Sequence, residues 1–330
     1  MERIVEQVFT KEVMDQAIDR FSVQKEYKKL GDFENYVFEV YKKDTPYILR
    51  ITHSSHRSEE EVISELDWMN YLYRAGVNVP RTYESVDGLH VVTIPAEDGS
   101  FFYCSLFSKA KGEPIRVNDE RFNSELFFAW GKAIGKMHYA TKTYVRNEKV
   151  TRRPYWHEDD LIPIENYISK EEETVIQNTK QLINQLIELP QTKENFGLLH
   201  TDIHSGNFFF DGSEIHIFDF DDCCYHWFCS DIAIPLYYSV LYRYPQGERK
   251  IRNEFAIEFI QSFMEGYKTE NEPPEQWKNQ IGLFFRLRDI MLYSVLHKKI
   301  PQEERSEKIN ALLAELKARI EKEETIVDVV

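Results

Sequence analysis

The chain of 330 residues carries a formal net charge of -15, and 42% of its residues are hydrophobic, 14% aromatic and 29% charged. That length exceeds one small core and suits one large domain or, as the preferred reading, two packed lobes, while the acidic balance disfavours a surface built to neutralise the phosphates of a duplex, so no nucleic-acid partner is expected. No run approaches the roughly 18 to 20 apolar residues of a membrane-spanning helix, the opening MERIVEQVFTKEVMDQ is charged throughout, and Cys104, Cys223, Cys224 and Cys229 are too few and too clustered for a secreted disulfide framework; no membrane partner and a cytoplasmic location are the expectations. An acidic surface either favours a cationic acceptor or serves solubility.

Along the chain, Val13, Met14, Ala17, Ile18 and Phe21 fall at helical spacing behind Thr10, which predicts a short capped helix. Tyr36 to Tyr41 and Pro46 to Ile51 are β-prone runs separated by four polar residues, a hairpin signal. From Ser58, apolar residues at Val62, Ile63, Leu66, Met69 and Leu72 predict a helix opened by a Ser58/Glu61 capping box and closed at Gly76. Val79-Pro80, Leu89 to Ile94 and Phe101 to Phe107 read as further strands, punctuated by Asp87-Gly88 and Asp98-Gly99. Beyond Gly112 the stripes become helical, over Arg121 to Thr143, Glu171 to Leu189, Asp231 to Tyr242, Ile251 to Tyr267, Trp277 to His297 and Glu303 to Lys322. A single β-like insert, Asn207 to Phe220, is split by Asp211-Gly212 into a hairpin.

The chemistry concentrates in LLHTDIHSGNFFFDGSEIHIFDFDD, Leu198 to Asp222. A hairpin brings its outer ends together, so Asn207 before the first strand and Asp219 after the second are expected near each other, with Asp202 presented from the preceding loop. An amide and a carboxylate offer the hard oxygen donors that magnesium prefers, with places left for phosphate and water. Asp202 is then free to accept a proton. Phosphoryl transfer needs this division of labour: a base for the attacking hydroxyl and a metal to neutralise the phosphates. His200-x-Asp202 with Asn207 five residues on, followed by Asp219-Phe220-Asp221, reproduces the spacing of the kinase catalytic loop and its downstream metal-binding aspartate.

These residues, with Ser230 to Ala233, are similar to the H-G-D-x-H-x-x-N, I-D-F-D and D-L-A signatures of the aminoglycoside phosphotransferase and choline kinase family, and the chain's layout resembles that family over most of its length. The resemblance implies an α+β, protein-kinase-like bilobal fold: a small N-terminal antiparallel sheet lobe with one key helix, residues 1–108, binding nucleotide, and a larger, mainly helical C-terminal lobe, residues 109–330, binding acceptor. It implies ATP as donor, Mg2+ as cofactor, Asp202 as base, and Asn207 and Asp219 as metal ligands. Gly31 to Phe38 resembles the phosphate-facing loop, with Gly31 and Asn35 its marker residues and an ordinary turn the competing reading. Arg50 stands where the family places lysine, a departure that leaves ATP against GTP open; Glu65 is its expected carboxylate partner, with Glu61 the competitor. The backbone at Leu106 and Phe107 is expected to meet the adenine edge, Asp231 to brace the catalytic loop, and His138 to be structural. Trp156 to Asp160 and the aromatic run Leu236 to Tyr244 either line the acceptor pocket or form a solvated loop and a core stripe.

The function expected is transfer of the γ-phosphate to a hydroxyl of a small molecule, homoserine-, choline- or aminoglycoside-like. Alternatives are a stress-response type Ser/Thr protein kinase and a non-catalytic nucleotide-binding or structural relative. Cys223 to Cys229 fits no paired zinc framework and reads as buried thiols.

Overall fold

In the computed structural model, residues 3–329 are described. The chain divides into two compact units, a smaller one comprising the residues up to Gly112 with Tyr144–Arg153 and His216–Asp221, and a larger one comprising Glu113–Thr143, Pro154–Ile215 and the residues from Asp222 onward.

In the smaller unit, helices α1 (Arg3–Val8) and α2 (Lys11–Phe21) precede strands β1 (Tyr27–Gly31), β2 (Asn35–Lys42) and β3 (Thr45–His53); then come α3 (Glu59–Arg74), β4 (Thr82–Tyr83), β5 (Val92–Pro95) and β6 (Phe101–Ser108). The strands make one antiparallel sheet in the order β1-β2-β3-β6-β4, with β5 also paired to β6. Strand periodicity explains its two faces. Leu49 and Ile51 of β3 join Phe38 and Val40 of β2 in a core closed by Val13, Met14, Ala17, Ile18 and Phe21 of α2. Arg50, between Leu49 and Ile51, therefore projects from the opposite face.

The α3 helix starts where the sequence places it. Ser58 accepts from the Glu61 N–H while the Glu61 carboxylate accepts from the Ser58 N–H, both halves of the capping box. Thr10 stands at the N-cap of α2 but makes no side-chain cap bond. Val79-Pro80 is not a strand; proline has no N–H to give a ladder, and the pairing begins at Thr82.

The larger unit contains α4 (Ser124–Thr141), α5 (Glu173–Ile187), β7 (Phe196–Leu199), β8 (Phe208–Phe210), the first residue of β9 (Ile215–Ile217), β10 (Cys224–Trp227), α6 (Phe228–Arg243), α7 (Arg249–Lys268), α8 (Trp277–Lys299) and α9 (Glu307–Lys322). The chain crosses from this unit to the smaller one within β9, which pairs with β8 as the expected hairpin. A second two-stranded sheet, β7 with β10, corrects the expectation of a single β insert. The α6 helix begins three residues before Asp231, holds Pro235 in its interior and is buried almost throughout.

Helices α4 and α7 touch backbone to backbone. A Cβ on Gly131 would lie 1.8 Å from the Phe263 carbonyl oxygen, one on Gly135 2.6 Å from that of Tyr267, and one on Gly266 1.9 Å from that of Phe128. Between α8 and α9, Arg319 is bidentate on Asp289, Nη2 to Oδ1 at 2.6 Å and Nε to Oδ2 at 2.9 Å, and the Tyr237 hydroxyl donates to the same carboxylate at 2.6 Å. Among the described residues no helix is long and apolar enough to cross a membrane. The architecture is α+β, an antiparallel sheet with its helices followed by a mainly helical part, as the sequence implied.

Candidate active site

In the larger unit β7 delivers the chain to His200, and the loop after it is shaped from behind. Asp231, fully buried near the start of α6, accepts the His200 N–H at 3.3 Å and the Thr201 N–H at 2.9 Å. Its own neighbour is His138 on α4, whose Nε2 lies 3.5 Å away and whose Nδ1 is 2.9 Å from the Tyr267 hydroxyl. Burial holds His138 below its ordinary pKa despite the Asp231 charge. Thr201 sits at φ 66, left-handed backbone that a β-branched residue adopts only when its surroundings dictate it. Here its hydroxyl donates to the carbonyls of His200 and Asp222, at 2.7 and 2.8 Å.

Asp202 follows that strained residue with about a quarter of its side chain, 24%, open to solvent. Its Oδ1 accepts Arg288 Nη2 at 2.5 Å; its Oδ2 accepts Asn207 Nδ2 at 3.2 Å and lies 3.5 Å from His204 Nε2. Asn207 Nδ2 also donates to the Asp202 carbonyl at 2.9 Å, which turns the amide so that its Oδ1 accepts no hydrogen bond among the described residues. Burial raises the Asp202 carboxyl pKa, but the His204 contact and the charges of Arg288, His204 and His200 outweigh it and hold the group ionised, below the ordinary range. Arg288 is fixed from its other side as well. Its Nε donates to the Tyr238 hydroxyl at 3.0 Å and its guanidinium carbon lies 4.9 Å from the centre of that ring.

In the smaller unit Arg50 of β3 and Glu65 of α3 form a bidentate pair, Nη1 to Oε1 at 2.7 Å and Nη2 to Oε2 at 2.5 Å. Glu61 instead serves the α3 cap. Burial works against the Arg50 charge, yet Glu65 first and then Asp221 and Asp219 more than restore it. The guanidinium lies 5.3 Å from the Phe107 ring centre. Asn35 accepts the Thr52 hydroxyl at 2.6 Å across the β2–β3 register, and Gly31 ends β1 beside an irregularity in its pairing with β2. Leu106 and Phe107 sit inside the sheet between β3 and β4, so the backbone that follows Ser108 is the first beyond that pairing.

Asp219 adopts φ 67, and the two residues after it are anchored. Phe220 packs edge-on to Trp68 of α3 at 5.4 Å, and Arg153 donates to the carbonyls of Asp221 at 2.6 Å and Glu61 at 3.1 Å. The Asp221 carboxylate holds His56 Nε2 at 2.5 Å and Arg57 Nε at 3.4 Å; burial alone would raise its pKa, but His56, Arg57 and Arg50 drive it far below the usual range. Glu34, 4.0 Å from His56, completes a set of potential metal donors. The 2.5 Å contact leaves no space for an ion between those two atoms, since bonds of about 2 Å on each side hold two donors farther apart. The guanidinium neighbours already balance this charge, so the set is an ion-pair network. The thiols of Cys223 and Cys229 are buried, and the described potential metal cluster includes no cysteine.

Each unit thus gathers part of the expected set: Asp202 with Asn207 in one, Arg50 with Glu65 in the other, where the Asp219 charge also acts on Arg50. Arg288 was not singled out from the sequence, whereas Tyr238 falls in the aromatic run Leu236 to Tyr244 and His204 in the catalytic-loop signature, neither with a role of its own. The available signal was Arg288 itself, a charge four residues after Phe284 and so on the apolar stripe of its helix.

The sequence profile described as the phosphotransferase enzyme family matches residues 26–277. The amicoumacin kinase of Bacillus subtilis (strain 168) is 35% identical over 319 residues, 96% of this chain and 94% of that protein. The structure of amicoumacin kinase hAmiN in complex with AMP-PNP, Ca2+ and Ami superposes with a TM-score of 0.93 at 34% identity, covering 100% of this chain and 98% of that one. A microcompartment-associated aminopropanol kinase shares the fold at TM-score 0.77 and 21% identity, over 95% of this chain and 97% of its own.

Proposed function

This chain belongs to the phosphotransferase enzyme family and is a small-molecule kinase acting on an alcohol group, and we propose from that premise that it moves the γ-phosphate of ATP to a hydroxyl with Asp202 as the base. The observation that carries the assignment is the placement of Asp202. Its carboxylate is partly open to solvent and accepts from Arg288 and Asn207, on a loop whose backbone is locked by Asp231. Such a carboxylate accepts the proton of the attacking hydroxyl.

The donor set suits a hard divalent cation. Asn207 commits its amide nitrogen to Asp202 and keeps its oxygen available, and Asp219 offers a carboxylate; each is an oxygen donor of the kind that would ligate magnesium, which when bound neutralises charge on the phosphates. The AMP-PNP and Ca2+ of the hAmiN complex support a nucleotide and a divalent metal for this chain as well. Arg50, kept charged by Glu65, orients phosphate oxygens; the loop from Gly31 to Asn35 faces the phosphates, and the chain that leaves β6 after Ser108 meets the adenine edge in place of Leu106 and Phe107, which are flanked by β3 and β4. The smaller unit receives the nucleotide and the larger one the acceptor, a small hydroxylated molecule, in the cytoplasm.

The test is phosphotransfer from labelled ATP and Mg2+ to a panel of aminoglycosides, amino alcohols, amicoumacin-type compounds and proteins, run beside Asp202→Asn. Turnover of a small molecule that Asp202→Asn abolishes, with nucleotide binding retained, supports the reading. Turnover surviving in the variant sinks the base assignment, and labelling of proteins alone would select the protein-kinase alternative.

A further inference from the structure

The guanidinium beside the base has more to offer than the base uses. Arg288 engages Nε with Tyr238 and Nη2 with Asp202, and its Nη1 hydrogens make no hydrogen bond among the described residues. Its side chain is 20% exposed and that of Asp202 24%, and Nη1 belongs to the same guanidinium that contacts the Asp202 carboxylate. Aromatic rings flank this pair: Tyr238, bonded to Arg288, stacks with Tyr242 at a ring-centre distance of 5.4 Å and an interplanar angle of 25°, His204 sets its edge against Tyr238 at 5.3 Å, and Tyr242 is 48% exposed.

Two consequences follow for an acceptor. An ammonium group gains little here, because Arg288 already neutralises the Asp202 charge and would repel a second cation. An oxygen with lone pairs gains much, because an arginine fork fixed on two sides presents donors at little further cost in side-chain entropy. We propose that Arg288 is a specificity-determining residue for acceptors that carry a second oxygen, as hydroxyl, carbonyl or carboxylate, a few bonds from the reacting hydroxyl, and that the Tyr238–Tyr242 ledge receives the flat or apolar part of the same molecule. This rests on Asp202 being the base, since it is the hydroxyl on Asp202 that brings the second oxygen to Nη1.

The experiment uses the full chain with ATP, Mg2+ and a matched set on one carbon skeleton: a mono-alcohol, an amino alcohol, a diol, a hydroxy amide and a hydroxy acid. Expected for the unaltered chain is a kcat/KM for an oxygen-bearing member about ten- to hundredfold above the mono-alcohol and the amino alcohol, the range of one charge-assisted hydrogen bond. Which member leads distinguishes a neutral from an anionic oxygen. Arg288→Met should erase that advantage, chiefly through KM, while Arg288→Lys keeps part of it. Tyr238→Phe retains the guanidinium but frees its Nε, and should weaken the preference without reversing it, which covers the case of a misfolded Arg288→Met. The proposal is overturned if the unaltered chain shows no preference for an oxygen-bearing member, including no turnover of one, or if Arg288→Met slows all members by one factor. Asp202→Asn in the same assay separates the two readings: full turnover there defeats the base assignment, whereas its loss with a uniform Arg288→Met effect defeats only the specificity claim.

Discussion

Replacing Arg50 by methionine removes a cation whose side chain is 7% exposed and strands a Glu65 carboxylate that is 1% exposed. Both oxygens of that carboxylate lose a donor, and breaking a buried pair from one side costs about 3–5 kcal/mol. Arg50→Lys keeps the charge but reaches the carboxylate through a point donor, so about 1.5–3 kcal/mol is expected for the lost hydrogen bond, with nucleotide binding kept. Removing both partners, Arg50→Met with Glu65→Met, leaves no stranded charge and should return stability to within about 1–2 kcal/mol of the unaltered chain. Urea denaturation of the three variants and calorimetric titration with the Mg2+ nucleotide separate two roles of Arg50. If it meets phosphate, the double variant recovers stability yet loses nucleotide affinity by about tenfold or more. A double variant that binds nucleotide as well as the unaltered chain would refute the phosphate role, and an Arg50→Met chain as stable as the original would refute the buried pair.

Three further outcomes follow. Gly131→Ala places a methyl group against the Phe263 carbonyl, 1.8 Å away without adjustment, and thermal unfolding should report a loss of about 3 kcal/mol or more. Arg319→Met strands the buried Asp289, again about 3–5 kcal/mol in urea titration, with Asp289→Asn combined with it recovering part of the loss. Burial pushes His226 down to about 3, Asp231 and Arg288 pulling in opposite directions. The unfolded chain therefore binds the extra proton first as pH falls from about 6.5, so this group costs stability at up to about 1.4 kcal/mol per pH unit down to about pH 3. His226→Phe should flatten the slope of unfolding free energy against pH in that window; an unchanged slope would remove His226 as its source.

Elements governed by near neighbours were legible in the sequence. The Ser58/Glu61 box, the β2–β3 and β8–β9 hairpins and the amphipathic α2 all depend on residues within a turn or two of one another, and periodicity records them. Strand β1 escaped because four of its five residues are exposed at the sheet edge, leaving no alternation to detect. The β7–β10 ladder escaped because its partners, Phe196–Leu199 and Cys224–Trp227, are separated by the whole catalytic segment. In the candidate site, the grouping of Asp202 with Asn207 was readable from spacing, whereas Arg288 comes from a helix 86 residues away. Only its charge within an apolar stripe hinted at a buried partner, and nothing local names which carboxylate that partner is.

The glycines of α4 and α7 reach further than the crossing they permit. With no methyl groups to hold the two backbones apart, Gly131, Gly135 and Gly266 act as notches that key one helix to a single position along the other. That position sets Tyr267 where its hydroxyl meets His138, His138 beside Asp231, and Asp231 beneath the amides of His200 and Thr201. The attitude of the loop that carries Asp202 is thereby traceable to three absent carbon atoms on helices that contribute no reacting group.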